Sequence, residues 1–201
     1  TDNPVNAYSL AFRIDQMYGK MDFTHYLSDK HTLDFGASSL FYGLEPGKYL
    51  PYGGESLVKE DRMEKEKAVE SAIYVGDRWD ITSKLSLNVG VRYSIFNVLG
   101  PRTYNLYADD QLPSLATVTG TVDKTGAFKT YHGPEFRISA RYAFTEDFSV
   151  KAGFNTMRQN IHKLSNTTIM SPTDTWKLSD ANIKPQTGMQ VAAGLYRNFL
   201  S

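Results

Sequence analysis

The 201-residue chain has no cysteine, which excludes disulfides, zinc–thiolate sites and a cysteine nucleophile. Neither sign of charge is in surplus: 22 Lys and Arg face 22 Asp and Glu, a formal net charge of zero. No basic arm or face for nucleic acid is therefore expected. No apolar run approaches the ~18 residues that a membrane-spanning helix needs, and a mean hydropathy of −0.41 argues against a helical membrane protein. That value does not bear on a membrane barrel, whose strands show lipid only every second residue. The chain opens Thr1-Asp2-Asn3-Pro4 without an apolar leader, so any export signal is expected upstream or already removed. Length alone suits one domain or a little more.

What the chain does have is 13 Tyr, 11 Phe, 2 Trp and 15 Gly within a 41% hydrophobic composition. That mixture favours strands and turns and is too apolar for a disordered chain. From Leu85 to Phe96 the odd positions Leu85, Leu87, Val89, Val91, Tyr93 and Ile95 are apolar, and the even ones are polar or small except Phe96. Period two over this length marks a strand with one greasy face. The same alternation runs through Phe136–Phe144, Phe148–Thr156 and Met189–Tyr196, through Ile73–Ile81 with Asp77 breaking the apolar row, and more briefly through Leu33–Ser38. The first strand, about Ser9 to Leu27, loses phase near Gly19, where a bulge is expected to restore it.

The connections alternate in length. Short ones centre on Ser28-Asp29-Lys30, Thr82-Ser83-Lys84 and Thr145-Glu146-Asp147, compositions suited to tight hairpins. Long ones run at about 45–67, 100–127 and 160–185 and carry Pro46, Pro51, Pro101, Pro113, Pro172 and Pro185. Short turns at one end and long loops at the other describe an outer-membrane barrel. The expected fold is therefore all-β: an antiparallel up-and-down meander of about seven long strands forming a section of a transmembrane β-barrel, with residues 1–201 as one partial barrel. Spanning sheets must close because lipid offers backbone groups no partner, and single-chain bacterial barrels have even strand counts. Seven strands thus read as an arc of a larger cylinder. The rival is a soluble all-β ligand-binding or adhesion domain, in which the same greasy faces meet in a sandwich core. An acyl-modifying barrel enzyme would need a Ser or His constellation that the sequence does not offer.

Three stretches carry a family resemblance. Ala72 to Thr82 followed by Leu85 to Tyr93 resembles the Y-x-x-D-x-W-x-I-T-x-x-L-x-L-x-x-G-x-R-Y hairpin of TonB-dependent outer-membrane receptors. Phe136–Tyr142 with Val150–Phe154 is similar to the next hairpin of that family, and Lys184-Pro185-Gln186 leading to Gln190–Phe199 to a later strand, with Gln186 where the family has Glu. The resemblance implies a 22-stranded barrel closed by an N-terminal plug, set in the bacterial outer membrane and energised by the TonB complex of the inner membrane. The implied partners are outer-membrane lipid, the remainder of the barrel and the plug, the TonB complex through an N-terminal part that this sequence does not show, and an unidentified solute. No cofactor, metal or catalysis is implied.

Sites follow from that architecture. Arg92, Glu135, Arg137, Arg141 and Lys151, with Asp34, fall opposite the greasy row and are candidate lumen-lining residues, either along a substrate path or in a charge network holding plug to barrel. Tyr49, Tyr52, Tyr104, Tyr107 and Trp176 fall in the long connections and are candidate substrate-binding residues, since aromatic rings stack on sugars and planar ligands; the alternative is that they pack the loops together. Trp79, Tyr93, Phe144 and Phe148 are expected close to the short turns or the strand ends, as an interfacial girdle; the alternative is packing in a sheet core. His25, His31, His132 and His162 lack metal-ligand spacing, and Asp109-Asp110 lacks the spaced ligands of a calcium loop. Lys59–Lys67 reads as a solvated loop or short helix, and Asn166-Thr167-Thr168 matches a glycosylation acceptor.

Overall fold

The structure, a computed structural model, describes residues 4–112, 114–165 and 174–199. Pro113, Pro172, the acceptor triplet at Asn166 and the terminal Leu200-Ser201 lie outside them. Twelve strands follow in order: β1 (Tyr8–Ser28), β2 (His31–Pro51), β3 (Asp61–Arg62), β4 (Glu66–Asp80), β5 (Leu85–Leu99), β6 (Arg102–Tyr107), β7 (Val118–Lys124), β8 (Ala127–Ala143), β9 (Phe148–Gln159), β10 (Ile161–Leu164), β11 (Thr175–Leu178) and β12 (Gln186–Arg197). Seven of them form one antiparallel half-barrel in the order β1-β2-β4-β5-β8-β9-β12, with two-residue β3 on β2. Hairpins β6–β7 and β10–β11 stand apart as two-stranded sheets. Strands β1 and β2, each 21 residues long, reach about 70 Å, well beyond what a bilayer core requires.

Register explains the two faces. Val75, Val91 and Phe136 are directly paired across β4, β5 and β8, as are Val89, Ile138, Phe154 and Val191 across β5, β8, β9 and β12. All are on the face opposite Arg92 and Glu135, and no second layer covers them: Phe136 is 43% exposed and Val191 75%. A sandwich would bury these side chains. The chain's core lies on the other face, near the long connections, where Tyr42, Leu44, Ala68, Phe96 and Val98 of β2, β4 and β5 receive Leu178 from β11.

That second apolar cluster corrects the bulge expected at Gly19. Gly19 pairs with Ser39 in unbroken register. The phase change in β1 is a change in which face is greasy: Ile14 points with Leu44 at the inner cluster, whereas Met17, Met21 and Phe23 belong to the uncovered face. The real register shifts lie elsewhere. Between Glu45 and Lys48, β2 spends three residues against two of β1, placing the bulge at Pro46-Gly47; proline, which donates no ladder hydrogen bond, is tolerated there. The second shift adds Leu27 beside the first turn.

Other boundaries move too. Because β2 runs through Pro51, the first long connection begins after residue 51 and not at 45. Lys59–Lys67 is neither helix nor uniformly solvated: β3 pairs Asp61 and Arg62 with Tyr49 and Lys48, and Glu66 is buried at the start of β4. Tyr93 sits eight residues from the β5 start, about 26 Å up the strand, so it marks the far end of the greasy row, where its hydroxyl meets His132 Nδ1 at 2.6 Å. Phe144 stacks on Phe148 at 5.5 Å and Trp79 on His31 at 5.3 Å, both beside short turns. Asp77, the break in the apolar row, has its Oδ2 2.7 Å from His31 Nδ1, which gives one oxygen of a carboxylate on the greasy side a partner.

Candidate functional site

The polar face offers two regions. The first is the wall itself, where in-register rows place Asp22, Gly36, Tyr74, Arg92 and Glu135 side by side across five strands. Gly36 is small for a reason: a Cβ there would collide with the Met21 carbonyl and with the Tyr74 ring, which crosses β2 so that its hydroxyl donates to Asp22. Lys20 pairs with Asp22 at 2.8 Å and Arg78 with Asp34 at 3.1 Å. Arg92 is the hub, lying 3.2 Å from Glu70 and 3.7 Å from Glu135 and donating to Ser38 Oγ at 3.3 Å. Glu70 also accepts from Asn160 Nδ2 at 2.8 Å, so the third long connection is tied to this row.

Further along, Arg137, Arg141 and Lys151 stand on the same face. A cleft of about 380 Å³ runs past Arg92, Glu135 and Arg137, and another of about 420 Å³ past Arg78, Asp80, Asn88, Arg141 and Lys151. The candidate residues opposite the greasy row thus share one surface, an arrangement that period two imposes once the register is set.

The second region is the mouth, and most of it escapes sequence reading. Hairpin β10–β11 folds back over the polar face and is locked by a closed ring of alternating charges. Arg102 of β6 lies 2.8 Å from Glu66 and 3.3 Å from Asp180, and Lys177 of β11 lies 2.9 Å from each of the same acids. Glu66 also accepts the Leu178 backbone N–H at 2.7 Å. Three separate segments are therefore joined by one buried network. Burial opposes the charge on Asp180, yet Lys177 and the backbone N–H groups of Ile183 and Asn182 hold its carboxyl below the usual carboxylate range. Burial pushes His162 below its ordinary value; its Nε2 lies 2.8 Å from the Ser179 hydroxyl. Burial likewise raises the Tyr104 phenol.

The loop aromatics do not converge. Tyr49 is a strand residue, paired with Leu10 and stacked on Tyr8 at 4.4 Å, because β2 continues past the expected loop start. Tyr104 is 7% exposed and packs edge-on to Phe128 at 4.9 Å, since the second connection folds into its own hairpin. Trp176 rests against the inner cluster and lines a pocket of about 240 Å³ with Pro46, Met63, Leu164, Arg102 and Lys177. Tyr52 is exposed beyond β2, and Tyr107 ends β6. Among the described residues, Arg102 Nη1 and the Tyr104 hydroxyl are buried without a hydrogen-bond partner, leaving donors to spare at the mouth. No group of three or more His, Asp or Glu side chains suited to a metal ion occurs among the described residues.

Local sequence does not reveal this network: Glu66 lies in a mixed-charge run, which gives no sign of burial, and only its partners on other segments show that it is enclosed. A family model described as TonB dependent receptor-like, beta-barrel, matches residues 1–200. No curated protein matches the chain.

Proposed function

The chain belongs to the TonB-dependent receptor β-barrel family, whose members are outer-membrane transporters, and from that premise we propose that it forms part of the wall of a receptor that captures a nutrient at its outer mouth and imports it. The observation that carries this reading is the single-layer sheet with one face left uncovered. Val75, Val91, Phe136 and Val191 have no protein to pack on, and acyl chains are the solvent that makes such a face stable. The same observation counts against a soluble binding domain, for which an exposed apolar face is an association hazard.

The remaining parts take roles accordingly. Strands β1 and β12 pair on one side only, so further strands close the cylinder, and lipid surrounds it. Arg92, Glu135, Arg137, Arg141 and Lys151 line the lumen. Tyr52, Tyr107 and Trp176 are left at the mouth to meet solute, with Tyr49 and Tyr104 bracing the loops that carry them. The plug gates the lumen and the TonB complex supplies energy through it; this wall performs no covalent chemistry. The test is uptake in whole cells. Deleting the receptor gene should abolish energy-dependent accumulation of one nutrient from a panel of iron chelates, corrinoids, glycans and peptides, and the intact gene should restore it. A protein that stays monodisperse in detergent-free buffer and is absent from outer-membrane fractions would overturn the reading.

A further inference from the structure

Above Asn155 the wall forks. β8 and β9 pair from Ala143 and Ser149 up to Arg137 and Asn155 and no further, while β8 stays on β5 as far as Ala127 and β9 stays on β12 as far as Gln159. Pro134 accounts for the break. The even residues of β8 turn their backbone groups towards β9, as the Phe144 N–H does towards the Phe148 carbonyl, and a proline at such a position has no N–H to give. Two side chains span the gap instead. Thr156 Oγ1 accepts the Phe136 N–H at 2.8 Å, and Arg158 Nη1 donates to the His132 carbonyl at 2.7 Å. The guanidinium lies against Gly133, where a Cβ would overlap it.

Arg158 belongs to the uncovered face. It follows Phe154 and Thr156 in strides of two and pairs with Thr187 of β12, in the same unbroken register that pairs Phe154 with Val191. The apolar rows end at this level. The next residues on this face are His132 and Thr130 on β8, Thr156 and Arg158 on β9, and Thr187 on β12, with no acid among them. Phe148 to Arg158 covers ten steps of β9, about 33 Å of strand and about 25 Å of height at a tilt of ~40°, which matches the apolar band of a membrane barrel. Arg158 is half-buried, and its hydrogen bond to His132 is its one polar contact among the described residues.

We propose that Arg158 binds the phosphate of an outer-leaflet lipid at this fork. Height and charge select the occupant. Outside the wall, at the upper limit of the apolar band, the groups within reach are lipid headgroups. A guanidinium with most of its N–H donors unused and no acid beside it matches a phosphate better than a neutral headgroup. Bound there, the phosphate also braces the two arms, because the same guanidinium holds the β8 carbonyl where the ladder is missing. The inference rests on the membrane reading of the uncovered face.

The test is the intact receptor folded into vesicles of an uncharged galactolipid, alone or with a minor share of phosphatidic acid. Phosphatidic acid should raise the urea midpoint of the wild type and leave that of Arg158→Gln unchanged, with folding of each checked by heat-modifiable migration. In native mass spectrometry, Arg158→Gln should hold phosphatidic acid at least tenfold more weakly, the loss expected for a charge-assisted hydrogen bond, and Arg158→Lys, which keeps the charge, should recover most of it. A wild-type midpoint indifferent to phosphatidic acid overturns the proposal without need of a variant. So does an Arg158→Gln variant weakened equally in both lipids, which would make Arg158 only a seal for the fork. Stabilisation by millimolar inorganic phosphate in pure galactolipid also overturns it, by making the site one for a free anion. A receptor that still imports after any of these results leaves the transporter reading standing, whereas failure to enter either kind of vesicle sinks the membrane reading itself.

Discussion

Placing an arginine at Val91 asks the structure which solvent its greasy face meets. Val91 lies at the middle of the apolar row from Leu85 to Ile95, is 37% exposed, and is flanked in register by Val75 and Phe136. No acid is directly opposite it. An arginine near the bilayer midplane costs about 2–4 kcal/mol, which is roughly a 30- to 700-fold loss in the folded-to-unfolded ratio. Val89 makes an internal comparison, because its cross-strand partner is Asp77; a guanidinium there gains a counter-charge, so Val89→Arg should cost measurably less than Val91→Arg. Asn88→Arg projects onto the polar face beside an open cleft and should cost less than about 1 kcal/mol, as exposed polar-face changes usually do. Folding of the full receptor into lipid vesicles across a urea titration, read by heat-modifiable migration, gives all three values. Equal costs at positions 88 and 91 would refute the assignment of faces, and no cost at either would refute the membrane.

Removing the charge of the mouth's hub by Glu66→Gln leaves Arg102 and Lys177 short of a buried acid and should weaken docking of β10–β11 by about 3–5 kcal/mol; faster protease cleavage within 160–185, with the β-barrel intact, is the readout. Burial depresses the His162 pKa, so the undocked hairpin binds more protons than the docked one, and docking should weaken as pH falls below the free-histidine value of about 6.5. Proteolysis at pH 5 against pH 8 checks this, and His162→Gln should flatten the dependence. Asp180, held below its usual range, adds a further loss only under more acidic conditions, as pH falls below about 4. Gly36→Val should displace the Tyr74 ring from Asp22 and lower barrel stability by about 1–3 kcal/mol through overpacking, measurable by the same vesicle titration; an unchanged midpoint would mean that the ring has another place to go.

The seven long strands were legible because a half-covered strand has to alternate, and Leu85–Ile95 or Phe136–Phe144 carries that alternation in a dozen letters or fewer. Asp77 and His31 show the limit of such reading: a polar letter in an apolar row looks like an error until its partner, 46 positions away, is found 2.7 Å from it. The first strand shows another limit. Leu10, Phe12 and Ile14 followed by Met17 and Met21 look like a slipped register, but they record two greasy surfaces at different heights, and height is set by the neighbouring strands.

Backbone periodicity and turn chemistry therefore determined by sequence alone that a long antiparallel sheet with one apolar face would form, and which residues would share each face. The inward fold of β10–β11 and the burial of Glu66 and Asp180 were decided only in three dimensions. They depend on pairings such as Glu66 with Lys177, 111 residues apart. A charge's energy depends on which other charge lies within a few ångströms, and no local pattern of letters encodes that distance.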